Sequence, residues 1–461
     1  MPPPTLDEHV FAEILLNCDI HHVLKFTRVD KWCRSAALSK QLWLSLIRDL
    51  EFRGLHDANP KERLEDGTTQ DLIAKVKRIA SGPRTWLPSS LMPPTLEREV
   101  LVNLGPQYDA ACTVVQLLPG GQYFLVCRLP SASVSSIWSV SSQKCIWSRQ
   151  QTVAGQLELS AVDLIEGGER VVVAFVVRAQ HPFIECIEVN LRTGNSSVIF
   201  ERPIPRRFGV VTQCKVLGDY LALIIHAKVS SEIHILNWVQ ATCVCLQFPG
   251  AKTCEITCSL LPGRIAVVHP NDSRERVLCA SVYSLRRLYW IPLVSWNLIL
   301  PDTRRPSSSL ILVGAELDLI SVDLTTRRAV CRPDAYEFGL ELLMRKPPIS
   351  ISGFISKLWL KMRPTWNGLW RAHYSFILPP PSGCTATLEP SIVRRSSMRR
   401  PFYGVAIAQD GRVIVYDRSD GFREIFQINH PLINPKSPQL GTYSAALPLV
   451  KDSVLRIMYF E

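Results

Sequence analysis

Short apolar runs that end in a small polar residue recur at nearly constant intervals over most of this chain. The apolar–polar pairs are Trp138-Ser139, Val189-Asn190, Leu236-Asn237, Tyr283-Ser284, Val322-Asp323 and Tyr416-Asp417. They are 51, 47, 47, 39 and 94 residues apart, and the last interval is twice 47. A period of about 40–50 residues with a strand end in each unit is typical of a propeller blade. The pattern therefore predicts about six visible units and a further one between Ile349 and Pro379, around Leu369-Trp370.

The composition between residues 108 and 461 favours strands throughout. Runs of Val, Ile, Leu and Cys alternate with Gly, Pro, Ser and Asn, as in proteins of many short strands. With the repeat, this predicts an all-β propeller of about seven blades, and a pair of stacked sandwiches is the alternative. The texture resembles the WD-repeat family, whose aspartate position is taken here by the polar residue of each pair. That resemblance implies a surface for binding proteins.

A propeller must join its first blade to its last, since an open sheet edge invites aggregation. The final residues, 453–460, alternate enough to form a strand. We expect this strand within the blade that contains Trp138 or in the blade beside it.

The N-terminal segment, residues 5–50, has a helical rather than a strand period. Thr5 and Glu8 have the spacing of a capping box, and Asp30 is placed to cap a third short helix. The apolar positions are Leu6, Val10, Phe11, Ile14, Leu15, Val23, Leu24, Val29, Trp32, Leu42 and Trp43. A segment this small cannot bury so much apolar surface by itself. Part of this apolar surface should therefore contact another protein or another domain.

The order of these apolar residues, with Val29-Asp30-Lys31 and Arg34, resembles the F-box family. The resemblance implies that all eleven positions contact a Skp-family adaptor and, through it, a cullin. The chain would then be the substrate-recognition subunit of an SCF-type E3 ubiquitin ligase, whose propeller holds the client protein. The alternative is that the helices cap or dimerise a propeller scaffold that has no link to ubiquitination.

Three segments follow from these patterns: a small all-α F-box-like module (1–50), a helical and proline-rich linker (51–107) and the β-propeller (108–461). In the linker, Thr69 is placed to begin a helix, and a proline-rich connection follows it. The prolines are Pro83, Pro88, Pro93, Pro94 and Pro106.

A formal charge of +11 favours anionic partners. No nucleic-acid motif is present, so we expect an acidic or phosphorylated protein rather than a nucleic acid. Candidate client-binding residues are Arg286, Arg287, Arg327 and Arg328, which follow the polar pairs of neighbouring repeats and are predicted to share one rim. Guanidinium groups bind carboxylates and phosphates in pairs. The alternative is that these arginines only solvate turns.

Enzyme signatures are absent from the sequence. There is no GxSxG, HExxH or phosphate-binding loop, and Cys243, Cys245, Cys254 and Cys258 lack the spacing of a zinc site. We therefore expect no catalytic residue, cofactor or metal, although residues distant in sequence could still converge in a propeller channel. The N-terminus lacks a signal-peptide pattern and the longest apolar run, Val171 to Val177, is too short to span a bilayer. A cytoplasmic or nuclear protein is expected.

Overall fold

The computed structural model describes residues 7–18, 20–52, 63–81, 96–108, 113–128, 135–149, 156–165, 168–205, 208–227, 230–249, 251, 256–270, 278–302, 306–313, 319–328, 336–344, 363–364, 370–378, 403–407, 413–417, 423–428, 446–451 and 453–460. In this described part of the chain, five α-helices come first and antiparallel sheets follow. Within the described residues, no helix is long and apolar enough to cross a membrane.

The helices share one hydrophobic core. They are α1 (Glu8–Leu16), α2 (Ile20–Phe26), α3 (Lys31–Ala37), α4 (Lys40–Phe52) and α5 (Thr69–Ser81). Leu15, Trp43, Ile47 and Val76 are fully buried together in this core. The Trp43 indole Nε1 donates a hydrogen bond to the Ala37 carbonyl at 2.8 Å, which satisfies a polar group in an apolar setting. The core therefore includes α5, which lies in the segment that the sequence assigns to the linker.

The described strands form seven antiparallel sheets. The first strand is β1 (Leu96–Asn103), and the strands of sheets I to III follow it. Sheet I contains β2 (Thr113–Leu117), β3 (Tyr123–Arg128), β4 (Ser135–Ser139) and β5 (Cys145–Ser148). Sheet II contains β6 (Gln156–Leu164), β7 (Arg170–Arg178), β8 (Phe183–Asn190) and β9 (Ser196–Pro203). Sheet III contains β10 (Val210–Leu217), β11 (Tyr220–His226), β12 (Ser230–Asn237) and β13 (Thr242–Pro249).

The remaining strands complete four further sheets. Sheet IV contains β14 (Thr257–Leu261), β15 (Arg264–Pro270), β16 (Leu278–Ser284) and β18 (Ser308–Val313), whereas β17 (Ile291–Pro292) adds a fifth strand to sheet III. Sheet V contains β19 (Leu319–Arg328), β20 (Tyr336–Met344), β21 (Arg363–Pro364) and β22 (Trp370–Leu378). Sheet VI contains β23 (Tyr403–Ile407), β24 (Val413–Asp417) and β25 (Arg423–Ile428). The terminal sheet joins β1 to β26 (Ala446–Lys451) and β27 (Val454–Phe460).

Consecutive sheets pack face to face, and β7 shows how the sequence permits this. Its seven apolar residues, 171–177, are all buried. Val172, Ala174 and Val176 face sheet III, whereas Val171, Val173, Phe175 and Val177 face sheet I. Successive strand residues point to opposite faces, so a strand between two sheets must be apolar throughout. The longest apolar run of the chain is thus a strand covered on both sides.

The polar residue of the repeated pair has a structural role. Ser139, Asn190, Asn237 and Ser284 each end the third strand of sheets I to IV. The Asn190 carboxamide oxygen accepts hydrogen bonds from the Arg192 and Thr193 backbone N–H groups at 3.0 and 2.9 Å. Asn237 and Ser139 accept equivalent bonds from Gln240 and Ser142. The short polar side chain closes the turn that leads to the fourth strand.

Two of the predicted repeat units are not separate units. Val322-Asp323 lies inside β19, the first strand of sheet V, and Trp370 begins β22 of the same sheet. The sequence interpretation is wrong here because the alternation of a two-sided strand produces the same apolar–polar pair in its middle as at its end.

The C-terminal strand lies where the sequence predicts it. β27 pairs with β1, with Ile457 opposite Val100, and Leu455, Ile457 and Tyr459 pack against sheet I, where Trp138 borders the shared core. β1 therefore belongs to the sheets, although the sequence assigns its residues to the linker.

Candidate functional site

The eleven apolar residues predicted to contact a partner divide into a buried and an exposed set. Phe11, Leu15, Val23, Leu42 and Trp43 are at most 7% exposed, and half-buried Leu24 packs against the same core. Val10, Ile14, Val29 and Trp32 are 49%, 45%, 64% and 44% exposed. Leu6 lies outside the described residues. The five buried residues and part of Leu24 lie in the core of the helical module, so they do not form its outer surface in this fold. The predicted contact of the eleven residues with an adaptor stays a prediction.

We call the exposed set the helical patch (Val10, Ile14, Val29 and Trp32); Val29 comes directly before the Asp30 cap of α3. Val10 and Ile14 are one turn apart on α1 and so lie on the same side of it. Ile14 lies between Val10 and Phe11 around the helix. The Trp32 ring contacts the Phe11 ring at an interplanar angle of 39°, with 4.7 Å between ring centroids. The patch thus passes from α1 across Phe11 to the first turn of α3.

Asp30 fixes the start of α3 and hence the position of Trp32. Its carboxylate accepts a hydrogen bond from the Cys33 backbone N–H at 2.7 Å, as an N-cap residue does. This bond, more than any other influence, lowers the pKa of Asp30 below its ordinary value of 3.8. Exposed Lys25, Arg28, Lys31 and Arg34 flank Val29 and Trp32 in the sequence, which gives the patch a basic margin.

The four candidate client-binding arginines do not occupy equivalent places. Arg286 and Arg287 are exposed in a 3₁₀ turn (Leu285–Arg287) that follows the third strand of sheet IV. Arg327 and Arg328 instead end the first strand of sheet V, paired with Glu337 and Tyr336 of β20. The first and third strands of an antiparallel sheet run in the same direction, so this difference in strand does not by itself separate the two pairs. The shared arginine rim stays a prediction.

The segment between β16 and β18 is a surface that the sequence analysis misses. Its described part, residues 285–302, leaves sheet IV and crosses to sheet III, where Ile291 and Pro292 pair with Cys243 and Thr242. We call this segment the excursion. It continues as a 3₁₀ helix (Leu293–Leu298) whose Leu293 and Trp296 are buried, whereas Val294, Leu298 and Leu300 are 82%, 76% and 82% exposed. The available signal was the nearly unbroken apolar run 291–300, which is too long for a turn.

Beneath the excursion, Glu232, His234 and Cys245 offer three potential metal ligands within 4.8 Å of one another. The hydrogen bonds favour a different role. The Trp296 Nε1–H donates to His234 Nδ1 at 2.9 Å, so the network assigns the imidazole proton to Nε2, which lies 2.8 Å from a Glu232 carboxylate oxygen. A metal on Nε2 would require the proton on Nδ1, directly opposite the indole N–H. These residues therefore fit a structural network that anchors Trp296 better than a metal site.

Buried thiols elsewhere in the sheets are poorly suited to nucleophilic chemistry. Burial raises the pKa of Cys214, Cys243 and Cys258 to about 12. The thiolate is the reactive form, and at neutral pH these three groups remain protonated.

Comparisons with known proteins leave the family open. No protein-family model matches the chain, and no curated protein does. Among solved structures, the WD40 domain of SCAP from fission yeast is similar over 77% of this chain and 85% of its own, with 8% identity and a TM-score of 0.38. A subtype N11 neuraminidase-like protein of A/flat-faced bat/Peru/033/2010 (H18N11) is similar over 58% and 73%, with 9% identity and a TM-score of 0.32. Likenesses this distant carry no functional information, and the fold is defined by the strand pairing above.

Proposed function

We propose that this chain is the substrate-recognition subunit of an SCF-type E3 ubiquitin ligase. The helical patch docks a Skp-family adaptor and through it a cullin, and a β-propeller of about seven blades presents the client protein. The chain itself has no catalytic role in this proposal, because the transfer of ubiquitin is carried out by its partners. This function requires a cytoplasmic or nuclear location.

The helical patch is the observation that carries the proposal. Clustered large apolar side chains on a surface otherwise rich in charge are typical of interaction sites. In this module Val10, Ile14, Val29 and Trp32 stay exposed although a complete core lies beneath them. An aromatic ring held against a second ring is also the kind of rigid anchor that dominates binding energy in protein interfaces.

The propeller part of the proposal is supported by the arrangement of the sheets. Sheets I to IV and the terminal sheet pack in a continuous series, and β14 of sheet IV lies beside β19 of sheet V. The terminal sheet combines β1 with the last two strands of the chain, which is how a ring of blades is fastened.

The test is binding of a purified Skp-family adaptor to the full chain and to a variant with Val10→Asp and Ile14→Asp. We expect at least a hundredfold weaker adaptor binding with unchanged thermal unfolding, because both side chains are exposed in the free chain and would be desolvated in the complex. Val198→Asp is the matched control, since Val198 is 53% exposed on strand β9, away from the patch.

Two results would overturn the proposal. If the intact chain does not bind the adaptor, the chain is an interaction scaffold outside the ubiquitin system. If the patch variant binds as well as the Val198→Asp control, the helical patch is not the docking surface.

A further inference from the structure

The excursion is held rigidly although it lies outside the regular strands. The Leu293 N–H donates to the Ala241 carbonyl at 2.8 Å, and the Asp302 N–H donates to the Cys245 carbonyl at 2.7 Å. Across the base of the excursion, the Tyr289 N–H donates to the Asp302 carboxylate at 2.6 Å. A segment fixed at three points loses little conformational entropy when a ligand binds it.

Its helical turn separates an anchoring side from a presenting side. A 3₁₀ helix has three residues per turn, so Leu293, Trp296 and Ile299 fall on one side. These three are buried in the core between sheets II and III. Val294, Leu298 and Leu300 project away from that core, and Val239, 66% exposed, lies at the tip of the hairpin that receives the excursion.

The charged residues of the excursion are Arg286, Arg287 and Asp302. Arg286 and Arg287 are exposed at the start of the excursion, and the bond between Tyr289 and Asp302 brings that start close to Leu300. The carboxylate of the excursion, Asp302, is already used by the Tyr289 N–H. Two guanidinium groups beside three exposed apolar side chains are complementary to a ligand that combines carboxylates with apolar side chains.

We infer that the presenting side of the excursion, Val294, Leu298 and Leu300 with Arg286 and Arg287, docks a short segment of the client protein that carries apolar and acidic residues together. The identification of this ligand as a client rests on the proposed function, whereas the ability of the surface to bind such a segment does not. Capture at this site occurs beside sheets III and IV, which are separate from the helical patch.

The probes are four labelled peptides of equal length, measured against the full chain by fluorescence anisotropy. The first contains Leu, Phe, Asp and Glu. The second replaces the apolar residues by Ser, the third replaces the acids by Lys, and the fourth replaces the acids by phosphoserine. We expect the first peptide to bind at least tenfold more tightly than each of the others.

Two variants locate the site. Leu298→Asp with Leu300→Asp, and separately Arg286→Glu with Arg287→Glu, should each weaken the first peptide at least tenfold. Val210→Asp, at a residue 56% exposed on β10, and the pair Lys144→Glu and Arg202→Glu, both at exposed positions, are the matched controls and should leave binding unchanged. If the Asp variant unfolds, Leu298→Ser with Leu300→Ser replaces it.

The inference is overturned if the site variants bind like their controls, or if the second or third peptide binds as tightly as the first. Tighter binding of the phosphoserine peptide assigns the site to phosphate instead of carboxylate and also overturns it. Self-association that is lost in the Leu298→Asp, Leu300→Asp variant would identify a second copy of the chain as the occupant. Adaptor binding is measured on the same samples, so failure of the peptide alone leaves the proposed function standing, and failure of the adaptor alone leaves the peptide site standing.

Discussion

The helical module and the stacked sheets differ in where they bury and expose apolar side chains. In the module a single core is enclosed by five helices, so each helix has an outer side, and α1 shows Val10 and Ile14 there while Leu15 points inward. In the sheets a strand such as β7 is covered on both faces and has no outer side. A module in which a single layer of helices surrounds the core can therefore expose apolar residues on the outer sides of those helices. Among the sheet residues whose burial the structure describes, the largest apolar exposures, 82% at Val294 and Leu300, are on the excursion.

The largest expected effect is a loss of stability in the sheets that leaves the helical module unchanged. Arg149, just after β5, and Glu185 on β8 form an ion pair between sheets I and II, with bonds of 2.9 and 2.7 Å and side chains only 3% and 5% exposed. Glu185→Leu leaves a buried guanidinium without its counter-charge, which should lower the free energy of unfolding of the sheets by about 3–5 kcal/mol. Chemical denaturation followed by near-ultraviolet circular dichroism measures it.

The matched control for this ion pair is the double variant Arg149→Met with Glu185→Leu, which removes both charges and should recover most of the loss. If Glu185→Leu alone lowers the unfolding midpoint of the helices as much as that of the sheets, the two regions unfold as one unit and the comparison between them fails.

A smaller effect is expected in the helical module. Trp43→Phe removes the indole N–H and leaves the Ala37 carbonyl without this buried donor, at a cost of about 1–3 kcal/mol. The helical transition should shift while the sheet transition keeps its midpoint. Trp32→Phe is the control, since Trp32 is 44% exposed and should tolerate the change. Equal destabilisation by the two substitutions would show that the helical patch belongs to the core.

The smallest expected effect is a pH-dependent change in the stability of the helical module, which carries the helical patch. The Cys33 backbone N–H holds the pKa of Asp30 below 3.8 in the folded chain, so this cap stabilises the module fully above that value. The stabilisation is lost as the pH falls through the lower, folded-state pKa. Asp30→Asn should therefore lower the helical melting temperature slightly at pH 7, and the difference from the unaltered chain should vanish near pH 2. A difference that persists at pH 2 would contradict a role for the charge.

Sequence periodicity predicts local structure well where one physical rule decides it. Asn190 and Asn237 mark strand ends because a short carboxamide closes the following turn, and Asp30 marks the start of α3 because its carboxylate accepts a backbone N–H. The same patterns fail where the middle of a strand shows the same alternation of apolar and polar residues as the end of a strand. Val322-Asp323 inside β19 has the same alternation as a strand end, which is why the predicted repeat unit there is wrong.

The candidate sites were harder to predict than the fold for a related reason. Helical spacing places Leu15 and Ile14 together on an apolar stripe, but only the packing of α3 and α4 against α1 decides that Leu15 is covered and Ile14 is not. Likewise nothing in the sequence around Ile291 indicates that it adds to β13, because this residue follows a strand of sheet IV but pairs within sheet III. Burial and long-range pairing are properties of the assembled chain.

The pairing of β1 with β27 also sets the order of events during synthesis. The helices and β1 leave the ribosome first, yet Leu96 pairs with Phe460. At 5–20 residues per second, β1 waits roughly 20–70 s for its partner. During that interval the helical module can fold and expose its patch, whereas β1 presents an unpaired edge. An unpaired strand edge invites aggregation, so β1 is exposed to it until the residues of β27 emerge.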